Sequence, residues 1–260
     1  MIITFLGTGT SQGVPVIGCD CPVCRSADHM DKRLRSAVLL EADGKNIVID
    51  TGPDFRYQML REEVKRLDAV LLTHEHKDHI AGLDDVRAFN YRLGTPIEVY
   101  AVPRVQDALK REFYYAFSEK KYPGVPQINL HDIGKDVFEV GDIPVIPVEV
   151  MHYRLPVSAF RIGDFTYITD AKTISAEETE KVKGTKVLVV NALQKGSHIS
   201  HFTLAEAIAF AQEIHAEKTY LTHISHNLGT YEEVSRELPE GIELAYDGLK
   251  LKIEDSVKLI

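Results

Sequence analysis

The sequence predicts an α/β sandwich in which two β-sheets face each other and helices cover the outside. Short β-rich runs alternate with turn residues along the chain, and a smaller number of segments show helical periodicity. The composition is that of a globular protein, with 44% hydrophobic and 27% charged residues among 260. No internal repeat, low-complexity tract or Ser/Gly/Pro-rich linker interrupts the sequence, which therefore predicts a single domain over residues 1–260.

Ten short runs of β-branched and other apolar residues lie between turn residues, which is typical of strands. The predicted strands cover residues 2–6, 37–41, 47–50, 69–73, 97–101, 145–150, 159–162, 165–169, 187–191 and 218–222. Two of the connections are predicted to be two-residue hairpin turns, Asp43-Gly44 and Gly163-Asp164.

The clearest helix signal is a capping box at Thr203-Leu204-Ala205-Glu206. In such a box the Thr hydroxyl accepts from the third amide, and the Glu carboxylate accepts from the amide of the Thr. Apolar residues then recur at helical spacing up to Ile214. Further helices are predicted over residues 55–65, 105–117, 176–183 and 231–238.

Charge and hydropathy exclude several classes of protein. The formal net charge is −9, with 30 Lys+Arg against 39 Asp+Glu, which argues against a protein that coats nucleic acid. We interpret the basic cluster Lys32, Arg33 and Arg35 as a solvated face. No apolar run approaches the roughly 20 residues of a membrane-spanning helix. The first residues lack the pattern of a secretory signal, so the sequence predicts a cytoplasmic protein.

The strongest chemical signal is the segment Thr73-His74-Glu75-His76-Lys77-Asp78-His79, which directly follows an apolar strand. Three histidines and an aspartate this close together are typical of a divalent-metal site, because imidazole and carboxylate are preferred ligands. In an extended chain His74 and His76 project to one side, and a turn after Lys77 brings Asp78 and His79 towards a second point. One short motif can therefore supply ligands to two adjacent metals.

The three cysteines form a second candidate site. Cys19, Cys21 and Cys24 lie together, and an odd number in a predicted cytoplasmic protein argues against a disulfide framework. Their spacing is typical of a metal site, but a structural zinc needs a fourth ligand. The candidate is His226, three residues after His223. Buried or redox-active thiols are the alternative interpretation.

The motif H-x-H-x-D-H resembles the signature of the metallo-β-lactamase superfamily, whose fold is an αββα sandwich of two mixed sheets. Further elements of that pattern follow at predicted strand ends, namely Asp50 before Thr51-Gly52, then His152, Asp170 and His223. The resemblance implies that Asp50 supports the metal-bound histidines. It also implies two metals bridged by Asp170 and a hydroxide. The implied ligands are His74, His76 and His152 for the first metal, and Asp78, His79 and His223 for the second.

Together with the cysteine cluster, this pattern is similar to the PhnP group of the superfamily, which are phosphodiesterases. The resemblance implies an enzyme that hydrolyses a small cyclic phosphodiester, 5-phosphoribosyl 1,2-cyclic phosphate, by attack of the bridging hydroxide on phosphorus. It implies two Zn²⁺ or Mn²⁺ in the active site and one structural Zn²⁺ on the cysteines. Asp78 and His201 are the predicted catalytic residues, with His201 as proton donor beside the start of a helix. A surface role for His201 is the alternative.

Rival functions come from neighbouring families and from a different class. A tRNA 3′-endonuclease or another nucleotide phosphodiesterase shares the ligands, but the long basic arm typical of the tRNA enzymes is absent from the sequence. A thioester hydrolase of the glyoxalase II type does not explain the cysteines. A non-catalytic zinc module is expected to lack ligands, and none is missing here. The predicted partner is a small phosphodiester, with no membrane or nucleic acid, and a homodimer is left open.

Overall fold

Two mixed β-sheets lie face to face in the computed structural model of the chain, which describes residues 1–254 and 256–260. The strands are β1 (Ile2–Gly7), β2 (Ala37–Ala42), β3 (Lys45–Ile49), β4 (Ala69–Leu71), β5 (Ile97–Ala101), β6 (Ile128–Asp132), β7 (Phe138–Val140), β8 (Ile143–His152), β9 (Leu155–Ile162), β10 (Phe165–Tyr167), β11 (Thr173–Ile174), β12 (Val187–Asn191), β13 (Lys218–Thr222), β14 (Ile242–Leu244), β15 (Lys250–Ile253) and β16 (Val257–Leu259). The helices are α1 (Pro22–Arg25), α2 (Phe55–Arg61), α3 (Lys77–Ile80), α4 (Arg87–Leu93), α5 (Pro103–Glu112), α6 (Tyr114–Phe117), α7 (Ala176–Val182), α8 (Leu204–Ile214) and α9 (Tyr231–Ser235).

Each sheet combines antiparallel and parallel strands. The first sheet has the order β16-β15-β1-β2-β3-β4-β5-β6 and becomes parallel from β3 onwards. The second has the order β11-β8-β9-β10-β12-β13-β14 and becomes parallel from β10, while β7 pairs with β8. Residues that follow the parallel strands therefore emerge along one edge of each sheet, where side chains from both sheets can meet.

Hydrophobic residues fill three layers, which explains why several strands are apolar at consecutive positions. In β2, Val38 and Leu40 point into the layer between the sheets, whereas Leu39 points into the layer beneath the helices of the first sheet. Successive side chains of a strand point to opposite faces, so a strand buried on both faces needs apolar residues throughout. The third layer lies between the second sheet and its helices, around Phe210 of α8. The predicted sandwich is confirmed.

The predicted helix cap and the first predicted hairpin turn are confirmed, because each depends only on residues that are neighbours in the sequence. The capping box forms as predicted, since the Thr203 hydroxyl accepts from the Glu206 amide at 3.3 Å and the Thr203 amide donates to Glu206 Oε2 at 2.8 Å. Asp43 and Gly44 both have positive φ, as a type I′ hairpin requires. All ten predicted strands are present; β5, β12 and β13 have the predicted bounds, and the others have shifted ends.

Other predictions were wrong. The helix predicted over residues 105–117 is divided into α5 and α6, and six strands of two to five residues were not predicted, namely β6, β7, β11, β14, β15 and β16. Arg33 is not solvated: it is buried, and its Nη1 donates to Thr8 Oγ1 at 2.8 Å and to the Ala245 carbonyl at 2.6 Å. The described helices include none that is both long enough and apolar enough to cross a bilayer.

Candidate metal centre

The histidine-rich motif leaves the first sheet directly after β4. Its backbone is extended as far as His76, which precedes the short helix α3 with φ −63° and ψ 150°. His74 and His76 thus project to the same side, and their Nε2 and Nδ1 atoms lie 3.0 Å apart. The helical turn of α3 then directs Asp78 and His79 to a second position, as the sequence predicts.

Asp50 supports this motif from the end of the neighbouring strand β3. It is fully buried and has φ 67°, a left-handed conformation that turns its carboxylate under the motif. Its oxygens accept from the Thr73 amide at 2.9 Å and contact His79 Nδ1 at 2.6 Å. Gly52 allows the two segments to approach, because a Cβ there would lie only 2.1 Å from the Asp78 carbonyl oxygen. In the Asp-x-Gly pattern, Asp50 therefore supplies the carboxylate and Gly52 allows the close packing against Asp78.

Ligand atoms from both sheets meet at one point. Asp78, His79, Asp170 and His223 each offer one atom within 4.8 Å of the others. Asp170 follows β10 and His223 follows β13, and both have left-handed backbones with φ 56° and 55°. Asp170 Oδ2 lies 3.2 Å from His79 Nε2 and 3.3 Å from His223 Nδ1. We call these four residues the carboxylate cluster.

The surroundings of His79 show how strongly negative the carboxylate cluster is. Its Nδ1 faces Asp50, while Nε2 has no hydrogen-bond partner and points at Asp78 Oδ2 and Asp170 Oδ2, 3.1 and 3.2 Å away. The three carboxylates around this one imidazole give the cluster a negative charge that is offset either by a proton on His79 or by a divalent cation bound in its place. Burial acts to lower the pKa of His79, yet the three carboxylates raise the pKa well above its usual value. The residues therefore fit a divalent metal.

Four of the other ligand-type groups are held in the protonation states that metal binding needs, namely His74, His152, His223 and Asp170. Burial, assisted by His79, lowers the pKa of His74 well below its usual value. Burial also lowers the pKa of His152, and it lowers the pKa of His223 to about 4. Burial acts to raise the pKa of Asp170, but His223 and His79 hold that pKa well below its ordinary value. Neutral imidazoles and ionised carboxylates result, with their ligand lone pairs free.

His152 ends β8 and completes a group of imidazoles on the other side of Asp170. The centroid of its ring lies 5.9 Å from that of His74 and 5.3 Å from that of His76. Its Nδ1 lies 2.9 Å from the Ser200 carbonyl oxygen, which leaves Nε2 free for a ligand. We call His74, His76 and His152 the imidazole cluster. The structure brings together all seven residues of the two implied ligand sets.

His201 lies above Asp170 rather than on the surface. Its Nε2 is 3.0 Å from Asp170 Oδ1, and its ring centroid is 4.5 Å from that of His152. Together with Asp170 and His152 it forms a group that could itself hold a metal. On its other side, Nδ1 lies 3.3 Å from His198 Nδ1. The position suits both the predicted proton donor and an additional ligand.

The cysteines converge on the predicted fourth ligand. Cys19, Cys21 and Cys24 place their sulfur atoms 3.2, 3.5 and 3.4 Å from His226 Nδ1. A tetrahedral zinc with ordinary bond lengths places sulfur and nitrogen roughly 3.6 Å apart, so the arrangement fits zinc closely. The Cys24 backbone N–H donates to the Cys21 sulfur and lowers the pKa of that thiol to about 6, whereas burial raises the pKa of Cys24 to about 11. We call these four residues the cysteine cluster.

Sequence reasoning missed three residues at the site. Thr10 Oγ1 lies 3.2 Å from His223 Nε2, the Ser200 carbonyl accepts from His152, and His198 contacts His201. Thr10 and Ser200 lie on loops, and loop packing leaves no periodic pattern in a sequence. For His198, the concentration of His198, Ser200 and His201 within four positions was the available signal.

Comparison with known proteins identifies the family. A family model described as the β-lactamase superfamily domain matches residues 45–224, which include every residue of the carboxylate and imidazole clusters. The chain belongs to the β-lactamase superfamily. The predicted resemblance to the metallo-β-lactamase superfamily and its αββα fold is thereby confirmed. In this superfamily setting, the buried carboxylates and imidazoles support divalent-metal binding.

Three members or relatives of the superfamily illustrate the match. A diphosphatase from the PhnP family, known from its crystal structure, is 42% identical with a TM-score of 0.91, over 97% of this chain and 98% of that one. An octanoyltransferase from Porphyromonas gingivalis is 42% identical over 96% of this chain and 51% of its own length. Ribonuclease Z from Nostoc punctiforme is 29% identical over 63% of this chain and 47% of its own. The chain thus spans about half the length of these two curated relatives.

Proposed function

We propose that the chain is a metal-dependent hydrolase of phosphodiester-type bonds. The observation that carries this proposal is the carboxylate cluster, in which Asp78, His79, Asp170 and His223 converge within 4.8 Å. The 42% identity to a PhnP-family diphosphatase over almost the whole chain supports phosphorus as the reacting centre.

The proposed active site would hold two Zn²⁺ or Mn²⁺, and Asp170 would be available as a ligand to both. The imidazole cluster would hold one metal, and Asp78, His79 and His223 would hold the other. Bound divalent metals supply a water of lowered pKa and screen the charge of the phosphate. Asp50, Thr10 and the Ser200 carbonyl would fix which nitrogen of each imidazole faces the site, because each contacts the nitrogen that faces away.

Two residues would act on protons. Asp78 is partly exposed, and its ionised carboxylate would accept a hydrogen bond from the attacking water. His201 would donate a proton from Nε2 to the leaving oxygen of a phosphate bound beside Asp170. The helix α8 begins three residues later in the chain, and the positive end of its dipole would favour a negative phosphate bound beside it.

The proposed substrate is a small cyclic phosphodiester, 5-phosphoribosyl 1,2-cyclic phosphate. The test is phosphorus NMR of that compound with zinc- or manganese-loaded protein, with a nucleotide diphosphate ester tested in parallel because the PhnP-family relative is a diphosphatase. Conversion of the cyclic compound to a phosphomonoester, absent in Asp78→Ala, supports both site and substrate. Cleavage of the diphosphate ester alone would contradict the cyclic substrate but support metal-dependent hydrolysis at phosphorus. Cleavage of neither by fully metallated protein contradicts the proposal.

A second candidate comes from the octanoyltransferase match, which covers 96% of this chain. That relative is named for transfer of an octanoyl group, so hydrolysis of an octanoyl ester or thioester is the alternative for the same metal site. Release of thiol from an octanoyl thioester, followed with a thiol reagent, distinguishes the two. Thiol release without phosphodiester cleavage would favour this candidate.

We also propose that the cysteine cluster binds one structural Zn²⁺. Three metals per chain are then expected by elemental analysis, two in the active site and one on the cysteines. A single metal per chain would favour a non-catalytic zinc module instead.

A further inference from the structure

Glu75, between the first two histidines of the motif, has a single ionic partner among the described residues. Its side chain is 23% exposed, and Oε1 lies 2.5 Å from Arg104 Nη1. The other oxygen, Oε2, is buried without a hydrogen-bond partner. With Oε2 buried and Oε1 on Arg104, the guanidinium is the one side chain among the described residues that orients this carboxylate.

Arg104 also contacts the hairpin that carries His152. Its Nη2 donates to the Pro156 carbonyl oxygen at 2.6 Å, on β9, and β9 pairs with β8 up to His152. The planar guanidinium thus spans the gap between the motif loop of the first sheet and a strand of the second sheet. A backbone hydrogen bond from the Ser158 amide to the Thr73 carbonyl, 3.0 Å long, joins the same two segments.

The position of Arg104 contradicts the local preference of its helix. It is the second residue of α5, and the first turn of this helix contains no acidic residue. A cation at a helix amino terminus lies close to the positive end of the helix dipole and is disfavoured there. A residue that breaks a local rule indicates a gain elsewhere, and the gain visible here is the contact with Glu75.

We propose that Arg104 and Glu75 are positioning residues that hold His74 and His76 at the correct distance from His152. This inference rests on the proposed metal site and adds residues that touch neither metal nor substrate. The three members of the imidazole cluster come from two different sheets, and Arg104 contacts both segments. Its loss would let the motif loop and the hairpin move relative to one another, and the metal held between them would bind more weakly.

The chain offers a matched control. Lys77 lies in the same motif and forms an ion pair with Glu112, on the same helix α5. Lys77 is 65% exposed, and this pair does not include the hairpin. Like the Arg104–Glu75 pair, the Lys77–Glu112 pair joins the motif loop to α5 by an ion pair. Unlike that pair, it does not connect the two sheets.

The experiment is a calorimetric titration of the metal-free 260-residue protein with Zn²⁺ in the presence of a competing chelator, which measures the affinity of each binding event. In Arg104→Met and Glu75→Gln we expect one of the two active-site binding events to weaken by roughly 10-fold, the lower end of the effect of losing a direct partner of a metal ligand, because both residues act on the segments that carry the ligands rather than on a ligand itself. The other events should stay within about twofold. His152→Ala identifies the event, since it should lose the same one. In Lys77→Met all events should match the wild type.

Two further measurements separate positioning from general stability. The turnover of Arg104→Met should recover at high Zn²⁺, and Arg104→Lys should fall between Met and wild type, because one ammonium cannot reach both acceptors as the guanidinium does. Uniform weakening of every event, or an unaltered titration, would overturn the inference. If the wild type itself binds no metal at the active site, the proposed function fails instead.

Discussion

The active-site clusters and the cysteine cluster both gather ligand-type side chains, but the chain builds them in opposite ways. The residues of the active-site clusters come from four separate segments between His74 and His223, at or just after strand ends of both sheets. Most are buried, and several imidazoles are also held by a second group such as Asp50 or Thr10. The cysteine cluster takes three of its four members from six consecutive residues of one loop, and most of it is partly exposed.

The difference shows what each site demands of the fold. The active site requires the register of two sheets and the left-handed conformations of Asp50, Asp170 and His223, each of which costs about 1–3 kcal/mol at a non-glycine residue. The cysteine cluster requires only that one loop reach His226. We therefore expect variants of the first to lose chemistry while keeping the fold, and variants of the second to lose stability while keeping the chemistry.

The largest expected effect is that of Asp170→Ala. This carboxylate lies within 3.3 Å of His79, His201 and His223, so its loss removes the shared negative charge of the site. Turnover should fall by roughly 10⁴-fold, and elemental analysis should show loss of active-site metal with the cysteine-bound metal retained. Two retained active-site metals with a rate within tenfold of wild type would contradict this assignment.

His201→Ala tests whether His201 is a proton donor or a ligand. As a general acid, its loss should lower kcat by about 10²–10⁴-fold, with unchanged metal content measured on the same sample. His198→Ala, one contact further out, provides the comparison and should have a smaller effect. If His201→Ala loses a metal, the residue is a ligand, and the group it forms with His152 and Asp170 is a binding site in its own right.

Cys19→Ser should act on stability and not on chemistry. Loss of the structural metal removes a link between residues about 200 positions apart, and cross-links of this kind contribute about 2–5 kcal/mol. The thermal midpoint should fall by roughly 5–15 °C, followed by circular dichroism. At 20 °C the variant should retain its active-site metals and turn over within about tenfold of wild type. Loss of all three metals would mean that the two sites are not independent.

The smallest expected effect concerns the carboxyl group of Asp247 and the pH dependence of stability. Thr8 donates to the buried Asp247 at 2.8 Å, and burial raises the pKa of Asp247 to about 6 from the usual 3.8. A raised carboxyl pKa adds stability that is complete below pH 3.8 and is lost as the pH rises through 6. In chelator-treated protein, the stability of wild type relative to Asp247→Asn should therefore fall between pH 4 and 7, by up to about 3 kcal/mol in urea unfolding. A constant difference across this range would contradict the raised pKa.

The sequence predicts most of the active site because its chemistry lies at strand ends. Asp50, Asp170 and His223 each follow a clear β-rich run, which places them at the ends of strands, and the resemblance to the superfamily pattern implied that these strand ends of the two sheets meet. Thr10 and Arg33 could not be predicted in their roles, since both depend on how a loop packs against residues more than 200 positions away. The periodicity of apolar residues predicts strands and helices, but it does not predict contacts between distant loops.

The pairing of β1 with β15 has a consequence for synthesis of the protein on the ribosome. β1 lies between β2 and β15, with Ile3 opposite Leu251, so one edge of β1 stays unpaired until residues near 253 have emerged. The same delay applies to His223 and His226. Neither set of candidate ligands is complete on the growing chain until these two histidines have emerged, and β1 is paired on both edges only after β15 has followed. Until then the open edge of β1 is a surface to which other unpaired strands can add.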